Sequence, residues 1–316
     1  MKATEFGARV GRAWNEFLFA PFDLRLAAWL RIGFALLTLI NFGVLGLDLE
    51  FWFGSTGPMP LDASREVIDS SSHTIFEILP QTATVLWICY SLAVIHTVLL
   101  LLGFFPRFQA FWVFFWLWQF QHRNMMIFDG EDQLFRLFAF FMIFLPTHRF
   151  DSVHAWWRER QNQPEPTRFG TAWAFRLFQI QTTLVYVGAA WSKLMGSEWR
   201  DGIAMWYISR LDDAWGKFPL PDFLFDSLPW IHLLTWATLV VEPLLPLGLW
   251  FPRTRWLALG AAVLFHLSLE YTMNLFLFHW LMLVGLIPFV ATFGKHRERV
   301  LRGENGGGVM RAGDRT

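Results

Sequence analysis

Apolar residues gather into long runs, with polar residues confined to the gaps between them. Residues 27–47 are almost uninterruptedly apolar, and about 20 such residues in a helix cross a hydrocarbon core of roughly 30 Å. The same reading predicts further spans over about 82–104, 109–120, 133–145, 171–194, 231–251, 256–274 and 276–293, eight in all. The third is short unless Gln119 and Gln121 lie inside the bundle. The gaps have characters of their own. Residues 48–81 contain FWFGSTGPMP, a turn-rich stretch, and then a short helix capped near Asp62. Residues 147–163 set Val153, Trp156 and Trp157 against Arg149, Arg158 and Arg160, an interfacial pattern. Residues 195–230 are polar yet aromatic, and WRDGIAMWYISRL within them reads as a short helix on or dipping into the bilayer.

Composition turns this pattern into a class. The chain is 54% hydrophobic and only 16% charged, with 35 Phe and 19 Trp, which excludes an ordinary soluble domain. The expected fold is all-α: a polytopic integral membrane helical bundle of about eight transmembrane helices, with interfacial helices. The formal net charge is zero, so nothing calls for a nucleic-acid partner. The single cysteine, Cys89, forms no internal disulfide. No cleavable signal peptide is read at the start. With eight spans, one set of alternate segments carries 17 Lys and Arg and the other 5, which predicts both termini cytoplasmic. The expected organisation is an interfacial leader over 1–26, a transmembrane domain over 27–294 and a basic flexible tail over 295–316. In the leader Trp14, Phe17, Phe19 and Phe22 are read at the interface, and Arg31 in the first turn of span one is expected to snorkel. QPEPT at 163–167 divides two hydrophobic halves that share no convincing repeat.

The stretch QIQTTLVYVGAAWSKLMGSEWRDGIAMW, at 179–206, concentrates the candidate chemistry. Lys193 stands where its helix is expected to leave the bilayer. It either snorkels to water or, held against Trp191 and Trp199, becomes a partly desolvated amine able to act as a base. The predicted topology puts Asp129, Glu131, Asp132, Arg136, His266, Glu270, Asn274 and His279 toward the same outer face. Ionisable groups inside spans mark a site or pathway, or else fix packing, with Glu242 or Glu270 paired to Arg136 or Arg176. His266 and Glu270 lie i, i+4 on one helix face, but no three-ligand set is visible, so no metal is expected. No phosphate-cradling loop or nucleophile elbow is present, and GENGGGV in the tail reads as flexible. Glu242, Pro243 and Pro246 break span six, which raises transport of a small solute as a further reading; the missing repeat counts against it.

Three phrases carry a resemblance: RNMMIFDGEDQLFRLFAFFMIFLP, IQTTLVYVGAAWSKLMGSEWRDGIAMWY and HLSLEYTMNLFLFHWLMLVGLIPF. Together they resemble the HTTM-type membrane domain related to vitamin K-dependent gamma-carboxylase, over about 22–293. The resemblance implies a multi-pass protein of the bacterial inner (cytoplasmic) membrane acting on a quinone-like lipid, reduced vitamin K or menaquinone, with a secreted peptide or protein as partner at the outer face. By the same resemblance Lys193 is the base that deprotonates the hydroquinone, and His266 matches a family histidine. Glu131, Asp132, Arg136, Tyr186, Trp199, Glu270 and Asn274 are assigned as substrate-binding or supporting residues. Two departures stand out. Glu131 occupies the place of a family histidine, and no large lumenal region for engaging a protein substrate follows the last span. The alternative is a noncatalytic membrane partner for maturation or export of a secreted peptide.

Overall fold

A computed structural model of the chain describes residues 2–67, 73–212 and 215–291; the tail read over 295–316 lies outside the described residues. The chain is built almost wholly of helices. α1 (Lys2–Phe19) is followed by α2 (Arg25–Leu47), α3 (Ala83–Leu102), α4 (Pro106–Arg123) and α5 (Gly130–Met142). After a short surface helix, α6 (Val153–Arg160), come α7 (Trp173–Met195), α8 (Leu228–Trp250), α9 (Arg255–Thr272) and α10 (Phe278–Leu286), the last continuing as a 3-10 turn over Ile287–Val290. Of these, Arg25–Leu47, Ala83–Leu102 and Leu228–Trp250 are long and apolar enough to cross a membrane, and Phe278–Val290 is a shorter apolar helix. Three such helices stand where the sequence reading counted eight spans. The others fall short in length or apolarity, α5 with only 13 residues for instance.

Local chemistry explains where the helices begin and end. Thr82 caps α3 by accepting from the Val85 amide at 3.3 Å. Gly103 closes it in the left-handed region at φ 71°, where a Cβ would fall 1.6 Å from the Arg31 guanidinium, so only glycine fits. Pro106 opens α4 at its first turn. Asp129 and Asp132 form a reciprocal capping box on α5, with Glu131 N bonded to Asp129 Oδ1 at 2.9 Å and Asp129 N to Asp132 Oδ2 at 3.1 Å.

Two sets of helices pack through successive neighbours: α2 with α3, α4 and α5, and α7 with α8 and α9. α10 packs against α2, α5, α7 and α9, and so joins the sets. The interior is an aromatic core that includes Phe34, Phe42, Phe120, Phe135, Phe138 and Phe178. Large apolar side chains also cover the outside, among them Leu233, Val240, Leu244 and Leu247 on α8 and Leu257 and Leu264 on α9. In water such continuous apolar surface is costly; against lipid tails it is not.

Two expectations for the first helices need correcting. Arg31 does not snorkel: it is fully buried, donating to the carbonyls of Thr147, at 3.3 Å, and Asp151. A loop that turns its carbonyls inward gives each of the two terminal guanidinium nitrogens an acceptor. Phe22 is likewise buried, stacked on Phe175 with centroids 4.0 Å apart, because β1 (Pro21–Asp23) pairs antiparallel with β2 (Phe169–Thr171) and draws the leader onto α7. Trp14 and Phe19 do remain exposed. Gln119 and Gln121 are both buried, and Gln121 donates to the Asp132 carbonyl at 2.7 Å. Arg123 pins the 48–67 segment to the end of α4 through the carbonyls of Met59, at 2.9 Å, and Phe53, at 3.1 Å. The stretch read as one short helix around Trp206 is two, Ser197–Arg200 and Ala204–Ile208. Gly202 breaks it at φ 80°, where a Cβ would meet His232.

Candidate functional site: a polar layer between four helices

Helix α7 carries Gln179, Thr182, Tyr186 and Lys193 at intervals of three, four and seven residues, a spacing that lines them along one face. The face is turned inward. Gln179 donates to the Pro288 carbonyl at 2.9 Å and Thr182 to the Gly285 carbonyl at 3.1 Å, fastening α7 to α10. One turn further, Tyr186 Oη lies 2.6 Å from His266 Nε2, and His266 Nδ1 lies 3.3 Å from His279 Nδ1. All three rings are buried.

Two turns beyond Tyr186, Lys193 Nζ meets both oxygens of Glu242, at 2.6 and 2.8 Å. Trp199 covers the ammonium with its ring centroid 5.3 Å away. The carboxylate is buried, and the lysine keeps 23% of its side-chain exposure. Lys193 is in the last turn of its own helix, but Glu242 sits 14 residues into α8, about 21 Å along it at 1.5 Å per residue. Contacts on either side fix this stagger: Trp250 Nε1 to Thr183 Oγ1 at 2.9 Å, and Trp236 Nε1 to the Arg200 carbonyl at 3.3 Å. The lysine is therefore held by an interior carboxylate rather than released to an outer surface. Pro246, four residues after Glu242, lacks the amide that would bond the Glu242 carbonyl, so the helix is loosened where it carries the charge.

The other expected residues form two flanking groups. Glu131, at the start of α5, lies against the backbone of Leu277 and Phe278 where α10 begins, one residue from His279. Asp132 accepts from Asn41 Nδ2 at 3.4 Å as well as capping its helix. Arg136 rests over the Trp118 ring, 4.8 Å from its centroid, and 3.5 Å from His122 Nδ1. The second group is Glu270, which takes an ion pair from Lys217. Asn274 is exposed and joins neither group. Neither carboxylate proposed as a packing partner for Arg136 or Arg176 is used that way: Glu242 holds Lys193, Glu270 holds Lys217, and Arg176 bonds Gln179 and the Phe17 carbonyl. Among the described residues no three His, Cys, Asp or Glu side chains gather as a metal set.

Glu242 and His279 are the members of the layer that the sequence reading left out of its site. Each had a signal. A carboxylate beside two prolines in an apolar helix is costly unless paired, and the deepest available amine was Lys193.

With the layer described, the comparisons with known proteins can be set beside it. A family model described as the HTTM domain matches residues 61–292, more than half of the chain. The chain belongs to the HTTM family. This HTTM protein is 24% identical to the sporulation-delaying protein SdpB of Bacillus subtilis (strain 168) over 201 residues, which is 61% of this chain and 60% of SdpB. It is 26% identical to the uncharacterized protein YitO of the same organism over 187 residues, 57% of this chain and 58% of YitO. The chain thus spans about three fifths of each relative's length. No solved structure matches. The HTTM match covers α3 through α10, so every residue of the polar layer lies within it.

Proposed function

We propose that this HTTM protein carries out acid–base chemistry on a quinone-like lipid, reduced vitamin K or menaquinol, with Lys193 as the base. It would do so in a multi-pass arrangement of about eight spans in a bacterial inner membrane. The carrying observation is the part-buried Lys193–Glu242 pair, closed at 2.6 and 2.8 Å between α7 and α8. Each group lies within hydrogen-bond reach of the other, so a proton has a direct path between them. Lys193 Nζ can pass a proton to Glu242 Oε1, leaving a free amine and a carboxylic acid. The amine then accepts the next proton from a hydroxyl brought beside it. The reduced quinone supplies that acidic hydroxyl.

The residues fit such a group. An aromatic hydroxyl needs a proton acceptor and a flat apolar neighbour, which Lys193 and Trp199 provide. The Trp199 ring centroid lies 5.3 Å from Lys193 Nζ. A photoreactive naphthoquinone added to reconstituted protein tests this. Label is expected on peptides from Trp173–Met195 and Leu228–Trp250, and menaquinol should compete it away. Label spread over all helices, or insensitive to menaquinol, would remove the quinone from the account.

A second reading is favoured by the aromatic, hydrogen-bonded stretches 209–212 and 215–226, whose cleft of about 330 Å³ is lined by Arg210, Trp215, Phe218, Phe225 and Asp226. Such a surface suits a secreted peptide, and the protein would then be a noncatalytic partner in its maturation or export. Copurification of a stoichiometric peptide, unaffected by Lys193→Ala, would support this reading over the first.

A further inference from the structure

The hydrogen bonds through Tyr186, His266 and His279 run in one direction. The Tyr186 hydroxyl has one acceptor among the described residues, His266 Nε2 at 2.6 Å. His266 therefore carries its proton on Nδ1, and donates it across 3.3 Å to His279 Nδ1. That leaves His279 with its proton on Nε2, a donor that is buried and without a partner among the described residues. A buried donor without an acceptor costs about 1–3 kcal/mol. The complementary orphan is close by: Glu270 Oε2, a buried acceptor also without a partner among the described residues, belongs to a carboxylate near enough to act on the charge of His279. Its other oxygen is taken by Lys217, whose side chain is 30% exposed. The Lys217 segment is fixed to the end of α9 by the Gly216 amide, which donates to the Thr272 carbonyl at 3.1 Å.

We propose that one water molecule bridges His279 Nε2–H and Glu270 Oε2. It completes a proton relay running from Tyr186 through His266, His279 and Glu270 to solvent at Lys217. The relay opens on the inner side next to Glu242, whose charge reaches Tyr186. A proton transferred along it shifts each bond by one step outward: the Tyr186 hydroxyl proton passes to His266 Nε2, the His266 Nδ1 proton to His279 Nδ1, and the His279 Nε2 proton through the water to the Glu270 carboxylate, while Tyr186 takes its replacement proton from the inner side. No net redox change is involved. The layer between the helices thus exchanges protons with the medium although no member of the Tyr186–His266–His279 chain touches solvent. The relay is independent of the quinone chemistry, since failure of quinone binding leaves the ring tautomers as they are.

Histidine tautomers are read directly by nitrogen-15 NMR on the full chain in lipid nanodiscs. The expected result is His266 protonated on Nδ1 and His279 on Nε2. In Glu270→Gln the other histidine signals and both tautomers should persist while solvent exchange of the His279 ring proton slows about tenfold. Glu270→Asp, which keeps the acceptor, should restore most of the rate and so separates the relay from a folding defect. A His279 proton on Nδ1, or exchange unchanged in Glu270→Gln, would overturn the relay.

Discussion

At the scale of single residues, the question is what a buried charge does when its partner is taken away. Lys193 and Glu242 desolvate each other, so either Lys193→Met or Glu242→Leu alone strands a charge among apolar helices, at a cost of about 3 kcal/mol. The double substitution removes both charges and should cost clearly less than the sum, with a coupling of about 1–3 kcal/mol. Thermal unfolding in detergent checks this, and strict additivity would mean that the pair is not formed. A second titratable residue gives a pH signature. His148 lies in the loop after α5, where burial, followed by the neighbouring His154 and arginines, pushes its imidazole down to about 4. The unfolded chain then binds the extra proton first. His148 therefore favours the folded state above pH ~6.5, and that contribution is lost as pH falls from there toward about 4. His148→Gln should flatten the acid limb of the stability curve; an unchanged limb would exclude His148 as its source.

At the scale of elements, the ends of helices are set by side chains near in sequence, and this is why they could be read in advance. The apolar runs at 27–47, 82–104, 171–194 and 231–251 anticipate α2, α3, α7 and α8 within a few residues, because caps such as Thr82 and Gly103 sit at their edges. Burial of Gln119 and Gln121 was legible too, since a short span needs its polar residues indoors. Contacts distant in the chain left no such trace. The Arg31 carbonyl cage spans 116 and 120 residues, the Lys193–Glu242 pair spans 49, and the strand that buries Phe22 spans the whole first half. Of the polar layer, Lys193, Tyr186, Trp199 and His266 are candidates in the sequence reading, which puts His279 at the same face and reads Glu242 as a packing carboxylate without assigning either to the site. Two substitutions test the helix ends. Gly103→Ala places a Cβ onto the Arg31 guanidinium at positive φ, and should cost about 2–3 kcal/mol or more. Asp129→Ala removes half of the α5 capping box and should cost about 1 kcal/mol. If Gly103→Ala were the milder change, the packing of Arg31 under α3 would be wrong.

At the scale of the whole molecule, α10 ties two sets of helices together, and the polar layer lies where α7, α8, α9 and α10 meet. Outward apolar faces and an inward polar seam together describe a protein whose solvent is lipid. The proposed sidedness follows from charge: 17 Lys and Arg fall in one set of alternate segments against 5 in the other. In intact cells, a single cysteine introduced at Ser55 or Ser209 should react with an impermeant maleimide. One at Gln161 should react only after lysis. The buried Cys89 should stay silent in all of them. Labelling of Gln161→Cys in intact cells would reverse the orientation.

The central claim is that Lys193 is a base acting on a reduced quinone, and product formation tests it most directly. Purified protein reconstituted with reduced vitamin K or menaquinol under oxygen is followed by mass spectrometry for the quinone epoxide, alongside Lys193→Ala. The account predicts epoxide from the unaltered chain and its loss in Lys193→Ala. Epoxide formed equally by both, or by neither when both are well folded, would contradict it.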